Sequence, residues 1–156
     1  MRTRWLVALA AAAAVPLRAQ GAPDSTVIRT TVLRYIDALA ARDTSTLRAL
    51  SWPWAISVGV PQPGDPSRPP QVADVEGTIR SVAARRARWE GRVWQIRIEQ
   101  DGDLAAFTAP FAVWLDGRLT SCGVDRYTLV RGHGTWRVAA LHYTQQRGGC
   151  TPPVTP

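Results

Sequence analysis

Residues 104–146 read LAAFTAPFAVWLDGRLTSCGVDRYTLVRGHGTWRVAALHYTQQ, and this stretch decides the fold. Apolar residues recur with a period of two along 104–115, 118–131 and 135–146, which is the pattern of half-buried strands. Asp116-Gly117 and Gly132-His133-Gly134 separate these runs. A further alternating run, 92–99, ends at Asp101-Gly102. Asp-Gly between alternating apolar runs is a hairpin signal, so the four runs form an antiparallel meander.

The turns assign faces. A two-residue loop at 101–102 pairs Ile98 with Ala105, Ile96 with Phe107 and Trp94 with Ala109. A four-residue loop in the last hairpin pairs Leu129 with Trp136, Tyr127 with Val138 and Asp125 with Ala140. A plain hairpin at 116–117 sets Phe107 against Arg126, and the two apolar faces then disagree. One extra residue in 104–115 restores agreement and sets Phe107 against Asp125. Proline has no ladder donor, so the expected bulge is at Ala109-Pro110. The concave face then carries Trp94, Ile96, Ile98, Phe107, Trp114, Leu119, Leu129, Trp136 and Val138. Ser121, Asp125, Tyr127 and His142 stand among them, which is the usual make-up of a small-molecule pocket.

Upstream the period changes to that of a helix. Asp24-Ser25 can cap residues 25–41, where Val27, Ile28, Val32, Tyr35, Ile36 and Leu39 share a face. Asp43-Thr44 starts a short helix through Leu50, Trp52-Pro53-Trp54 breaks it, and 55–60 suits a strand. Residues 61–70 hold five prolines and read as an irregular loop. Asp74 can cap a third helix with Val75, Ile79, Val82 and Trp89 on its buried face, closed by Gly91. Helices first and a strand meander afterwards predict an α+β domain.

The N-terminus is basic (Met1 to Arg4), then apolar (Trp5 to Val15), then small (Ala19, Gly21, Ala22). That order predicts a signal peptide over 1–22, cleaved after Ala19 or Ala22, an exported domain over 23–150 and a disordered tail over 151–156. The apolar run is too short for a stable membrane anchor. Arg2, Arg4 and Arg18 lie in the leader, so the formal charge of +7 falls by three to +4 in the mature chain. That charge favours solubility and does not imply nucleic acid. Cys122 and Cys150, an even count in an exported chain, predict one disulfide. Gly148-Gly149 lets the tail turn back to meet Cys122. The cysteines and two distant histidines lack metal-ligand spacing, and no phosphate loop or nucleophile elbow is present, so neither metal nor cofactor is expected.

The helix segment VLRYIDALAARD and the meander SCGVDRYTLVRGHGTWRVAALHYT resemble the nuclear transport factor 2-like (NTF2-like) superfamily, over nearly all of 25–146. Ala109-Pro110-Phe111, Asp116-Gly117, Cys122-Gly123-Val124-Asp125, Gly134-Thr135-Trp136-Arg137-Val138 and Gly149-Cys150 are similar to those of an exported group within it. The chain departs from that group at Ser121, where the resemblance implies histidine, and at Tyr143, where it implies aspartate. The resemblance implies a cone, with N-terminal helices packed on a curved antiparallel sheet. It does not choose a function, since the superfamily holds enzymes and non-enzymes.

Asp125 is the candidate base, because an aspartate on an apolar concave face has its charged form desolvated; the isomerases of this fold use such an aspartate. His142, on the same expected face, is the candidate proton partner. Tyr35, Trp94, Phe107, Trp114, Ser121, Tyr127 and Trp136 are the expected ligand wall, and Trp52, Trp54 and Trp89 candidates for its rim. Arg80, Arg85, Arg86, Arg88 and Arg92 read as a solvated helix face. Two readings stay open: a module binding a small, mainly apolar molecule, and an isomerase, dehydratase or hydrolase using Asp125 with His142 or Tyr127. Val113 and Leu115, expected on the back of the sheet, would allow pairing with a second copy.

Overall fold

The computed structural model describes residues 24–62 and 68–153; the expected leader and residues 154–156 of the expected tail lie outside them. Helix α1 spans Ser25–Ala41 and buries Ile28, Val32, Tyr35 and Ile36 at helical spacing, while Val27 is exposed. Asp24 does not cap it with its side chain. Its carboxylate reaches the sheet instead, accepting from Arg131 at 2.5 Å and from Trp136 Nε1 at 3.1 Å. Helix α2, Thr44–Leu50, is capped by Asp43, which accepts from the Thr46 N–H at 3.0 Å. Helix α3, Val75–Ala84, is capped by Asp74, which accepts from the Gly77 N–H at 2.6 Å.

The strands are β1 (Ser51–Pro61), β2 (Gln71–Asp74), β3 (Trp89–Val93), β4 (Arg97–Asp101), β5 (Leu104–Leu115), β6 (Arg118–Gly132) and β7 (Thr135–Gln145). They form one curved, unclosed sheet in the order β2-β1-β7-β6-β5-β3, with β4 also on β5. All neighbours are antiparallel except β1 and β7. The helices cover the concave face, and Ile28, Val32, Leu47, Phe107, Leu129 and Val138 form the centre of the core. The α+β cone is therefore present.

Several expected boundaries change. Strand β1 begins at Ser51 and contains Trp52-Pro53-Trp54; proline is tolerated because this stretch lies where the ladder to β7 is interrupted, between Ser51 and Ile56. Strand β2 was not expected. Helix α3 stops at Ala84, and Trp89 opens β3 rather than extending the helix.

The register also differs, and in each hairpin turn chemistry gives the reason. The first turn is Gly102-Asp103, with Gly102 at φ 57° in the first loop position, so Ile98 pairs with Phe107 instead of Ala105. The shift is two residues and keeps the faces. The expected single strand over 92–99 is split by an irregularity at Trp94-Gln95-Ile96, where Gln95 has φ 48°. Asp116-Gly117 makes the expected two-residue turn, both residues with positive φ.

The ladder of β5 and β6 runs unbroken through 107–111, so the bulge expected at Ala109-Pro110 is absent. The inserted residue lies in β6 instead, at Thr120 between the pairs Val113–Ser121 and Trp114–Leu119. The two faces agree as required, but Phe107 meets Tyr127 rather than Asp125. The last turn is His133-Gly134, both with positive φ, which closes a two-residue loop instead of four. A second bulge in β7, at Ala139, lies between the pairs Leu129–Val138 and Thr128–Ala140.

Candidate active site

A cavity of about 840 Å³ opens between α1, α3 and the sheet. That lies within the range of small-molecule sites, on the order of 300–1,000 Å³. Strand β5 supplies Phe111, Val113 and Leu115, β6 supplies Ser121, Asp125 and Tyr127, and β7 supplies Leu141 and Tyr143. Helix α1 adds Tyr35, Ile36 and Leu39. Polar groups come from Ser57, Thr78, Ser81 and Thr120, and cations from Arg85, Arg92 and Arg147.

Asp125 is buried, and among the described residues it forms no ion pair. Its side-chain hydrogen bond is accepted from the Tyr127 hydroxyl at 3.5 Å. Burial pushes its carboxyl up to about 7, with the Tyr127 bond pulling it down. The chain has three tyrosines, and all three line this cavity. Burial and then the Asp125 charge hold the Tyr127 hydroxyl well above its ordinary value. Burial raises Tyr35, offset by the Ser51 hydroxyl and reinforced by Asp125. Burial and Asp125 also raise Tyr143. The tyrosines therefore stay protonated as donors beside a carboxyl that can hold or release a proton near neutrality. Edge-to-face ring contacts fix them: Tyr35 on Tyr127 at 5.8 Å, and Phe111 on Tyr143 at 6.4 Å.

Of the expected site, Asp125, Tyr35, Ser121 and Tyr127 line the cavity. His142 does not. The bulge at Ala139 reverses the faces of the second half of β7, so His142 pairs with Arg126 and is exposed, while Tyr143 enters the cavity beside Asp125. Trp114 also faces away, beneath the Arg92 guanidinium at 4.9 Å, because without a bulge at Ala109-Pro110 the odd-numbered residues of β5 keep the concave face. For the same reason Val113 and Leu115 line the cavity rather than the back of the sheet.

Trp94, turned aside by the irregularity at Gln95, lines a separate cavity of about 280 Å³ with Cys122 and Val124. Leu119, beyond the bulge at Thr120, is exposed. Phe107 and Trp136 are on the inner side but buried as core, Phe107 against the Tyr127 ring at 5.8 Å. Trp89 reaches the cavity, whereas Trp52 and Trp54 stack on each other at 5.9 Å and line neither cavity.

Tyr143 and Arg85 were missed. The run Val138-Ala139-Ala140-Leu141 breaks the alternation of β7 and was the available signal for the bulge that turns Tyr143 inward. Arg85, expected on a solvated helix face, instead follows the helix end in extended backbone and lines the cavity.

Cys122 and Cys150 are bridged, with Cα atoms 5.8 Å apart. Among the described residues no cluster of His, Cys, Asp and Glu could hold a metal ion, and no helix is long and apolar enough to cross a membrane.

Comparison with known proteins places this geometry. An NTF2-like protein from Cytophaga hutchinsonii aligns with a TM-score of 0.65 at 13% identity, over 79% of this chain and 98% of that one. An NTF2-like protein with a cystatin-like fold from Novosphingobium aromaticivorans aligns with a TM-score of 0.64 at 14% identity, over 78% and 80%. A candidate dehydratase of the NTF2-like family from Streptomyces avermitilis aligns with a TM-score of 0.61 at 18% identity, over 81% and 100%. No curated protein sequence matches. The SnoaL-like domain matches residues 28–145, and the chain belongs to that family, within the NTF2-like superfamily.

Proposed function

We propose that the domain binds a small, mainly apolar carbonyl compound in its main cavity and moves a proton on it with Asp125, as an isomerase or dehydratase does. The observation that carries this reading is a buried carboxyl without an ion pair, bonded by the Tyr127 hydroxyl, in a cavity that Tyr35 and Tyr143 also line. A carboxyl near neutrality can take a proton from a carbon beside a carbonyl and return it elsewhere. A protonated tyrosine can donate to the oxygen on which charge then develops. The apolar wall of Phe111, Val113, Leu115 and Leu141 would hold the body of the substrate and strengthen these interactions by excluding water. The similarity to the Streptomyces candidate dehydratase is compatible with such chemistry. The reading includes export, supported by the leader-like N-terminus and the disulfide.

Binding without turnover is the second reading, favoured by the cavity's size and largely apolar wall. The deciding experiment follows α-proton exchange in D₂O by NMR with a β,γ-unsaturated cyclic ketone and a β-hydroxy ketone. Wild type should exchange them and Asp125→Asn should lose on the order of 10²-fold or more. Equal rates in both proteins, or no exchange above buffer, would leave only the binding reading.

A further inference from the structure

Arg85 is the unusual cation of the cavity. It follows α3 and lies over the Trp89 ring at 5.3 Å. Its Nη2 donates to the Leu39 carbonyl, one of the last carbonyls of α1. Its Nε is buried without a hydrogen-bond partner. Among the described residues no carboxylate pairs with it, and Arg42 adds a second positive charge nearby. The acid that shares its cavity, Asp125, is buried and comes from β6. The exposed Arg147 lines the same cavity.

From this arrangement we infer that Arg85 receives a carboxylate on the ligand, so that the ligand is an apolar acid whose body reaches from Arg85 toward Asp125. The inference rests on the proposed use of this cavity as the ligand site, but not on turnover. A guanidinium carries five donors in a planar fork, and the Leu39 carbonyl engages only part of it. The Trp89 ring, 5.3 Å from the guanidinium carbon, holds the cation in place by a cation–π contact. A carboxylate matches that fork with two parallel bonds and cancels a charge that the protein leaves uncompensated. If Arg85 served only to cap the end of α1, any ligand preference would be indifferent to it.

The test uses 2-naphthylacetate and its neutral amide, titrated calorimetrically into the whole mature protein at low salt. About pH 6 is suitable, because there the probe is ionised while Asp125 is mostly neutral and does not repel it. Wild type should bind the acid about ten-fold or more tighter than the amide, and added salt should shrink the difference. Arg85→Gln should abolish the preference by weakening the acid far more than the amide. Arg85→Lys keeps the charge at the helix end but lacks the fork, and should retain only part of the preference.

Equal affinities in wild type, or no binding of either probe up to about millimolar concentration, would overturn the inference; the wild-type comparison needs no variant to fold. A preference that survives Arg85→Gln would overturn the assignment to Arg85. Asp125→Asn separates the two proposals. It should stop proton exchange and preserve the acid–amide preference, so a preference without any exchange in wild type would sink the catalytic reading alone.

Discussion

The Tyr127 hydroxyl stands 3.5 Å from the Asp125 carboxylate, two residues away on the same face of β6. The period of a strand brings them together, and the helices above remove both from water. A carboxyl in this position costs the fold something when it ionises, and stability should therefore depend on pH in an unusual direction. Asp125 has a folded-state value of about 7 against an ordinary 3.8. Between these values the folded chain keeps a proton that the unfolded chain has released, so stability falls as pH rises through the window. The contribution is complete below the unfolded value and gone above the folded one. Its size is on the order of 4 kcal/mol. Asp43, held down to about 2 by Ser45 and Thr46, acts in the opposite sense and only at lower pH. Urea unfolding of wild type and Asp125→Asn between about pH 4 and pH 7 checks this: the wild-type loss should be absent from the variant. Parallel pH profiles of wild type and Asp125→Asn over that window would show that Asp125 does not hold the proton.

Tyr127→Phe tests the pair itself. The hydroxyl lowers the Asp125 value, so its removal should move the carboxyl above 7. A carbon-detected NMR titration of the Asp125 carboxyl in both proteins reads the shift directly. An unchanged or lower value in Tyr127→Phe would mean that the 3.5 Å contact is not a working hydrogen bond.

The disulfide closes a segment with 28 residues of separation. In the chain-entropy account such a loop contributes about 3–4 kcal/mol. Cys122 also exchanges backbone hydrogen bonds with Gln146, at 3.0 and 2.8 Å, so the tail is held to β6 by this bridge as well as by the disulfide. Thiol titration of the unfolded, unreduced protein should find no free thiol, and the unfolding free energy of Cys122→Ser/Cys150→Ser, from urea titration, should be lower by that amount. A variant as stable as wild type would place the stabilisation in the Gln146 bridge instead.

The sequence carried the face of each strand better than its exact partner. Asp125 and Tyr127 sit two residues apart between Cys122 and Leu129, so their common orientation follows from alternation alone and survives any even error in register. Phe107 illustrates this: expected opposite Asp125, it meets Tyr127, yet it is fully buried on the expected side. An odd error is different, because it reverses every later residue. The bulge at Ala139 does that to His142 and Tyr143. Where a bulge falls depends on how two strands twist against each other, and Pro110 was a plausible but incorrect marker for one. Arg85 was illegible for another reason. Its role depends on α3 ending at Ala84, and the sequence there has neither glycine nor proline to end a helix.

Tyr143 in place of His142 is the correction with the most direct consequence for the site, and Gly59 provides a way to test it without removing a hydroxyl. Gly59 pairs with Tyr143 across the parallel ladder of β1 and β7. A Cβ at position 59 would stand 2.5 Å from both the ring's Cζ and its hydroxyl oxygen, so glycine makes the space that the ring occupies. The clash is with the far end of a side chain and not with backbone, so Gly59→Ala should fold, at a cost of about 1 kcal/mol, by swinging the ring away. Tyr143→Phe keeps the ring in place and deletes only the donor. Under the proposed chemistry both variants should slow α-proton exchange by about ten-fold or more, because each takes the Tyr143 hydroxyl from the site. His142→Ala, on the exposed side of the same strand, should leave the rate within about two-fold of wild type. Exchange rates for the three variants, with near-ultraviolet circular dichroism to follow the tyrosine environment, decide between the two residues. Loss of activity in His142→Ala with Tyr143→Phe unaffected would mean that β7 runs without its bulge at Ala139 and presents the opposite face to Asp125.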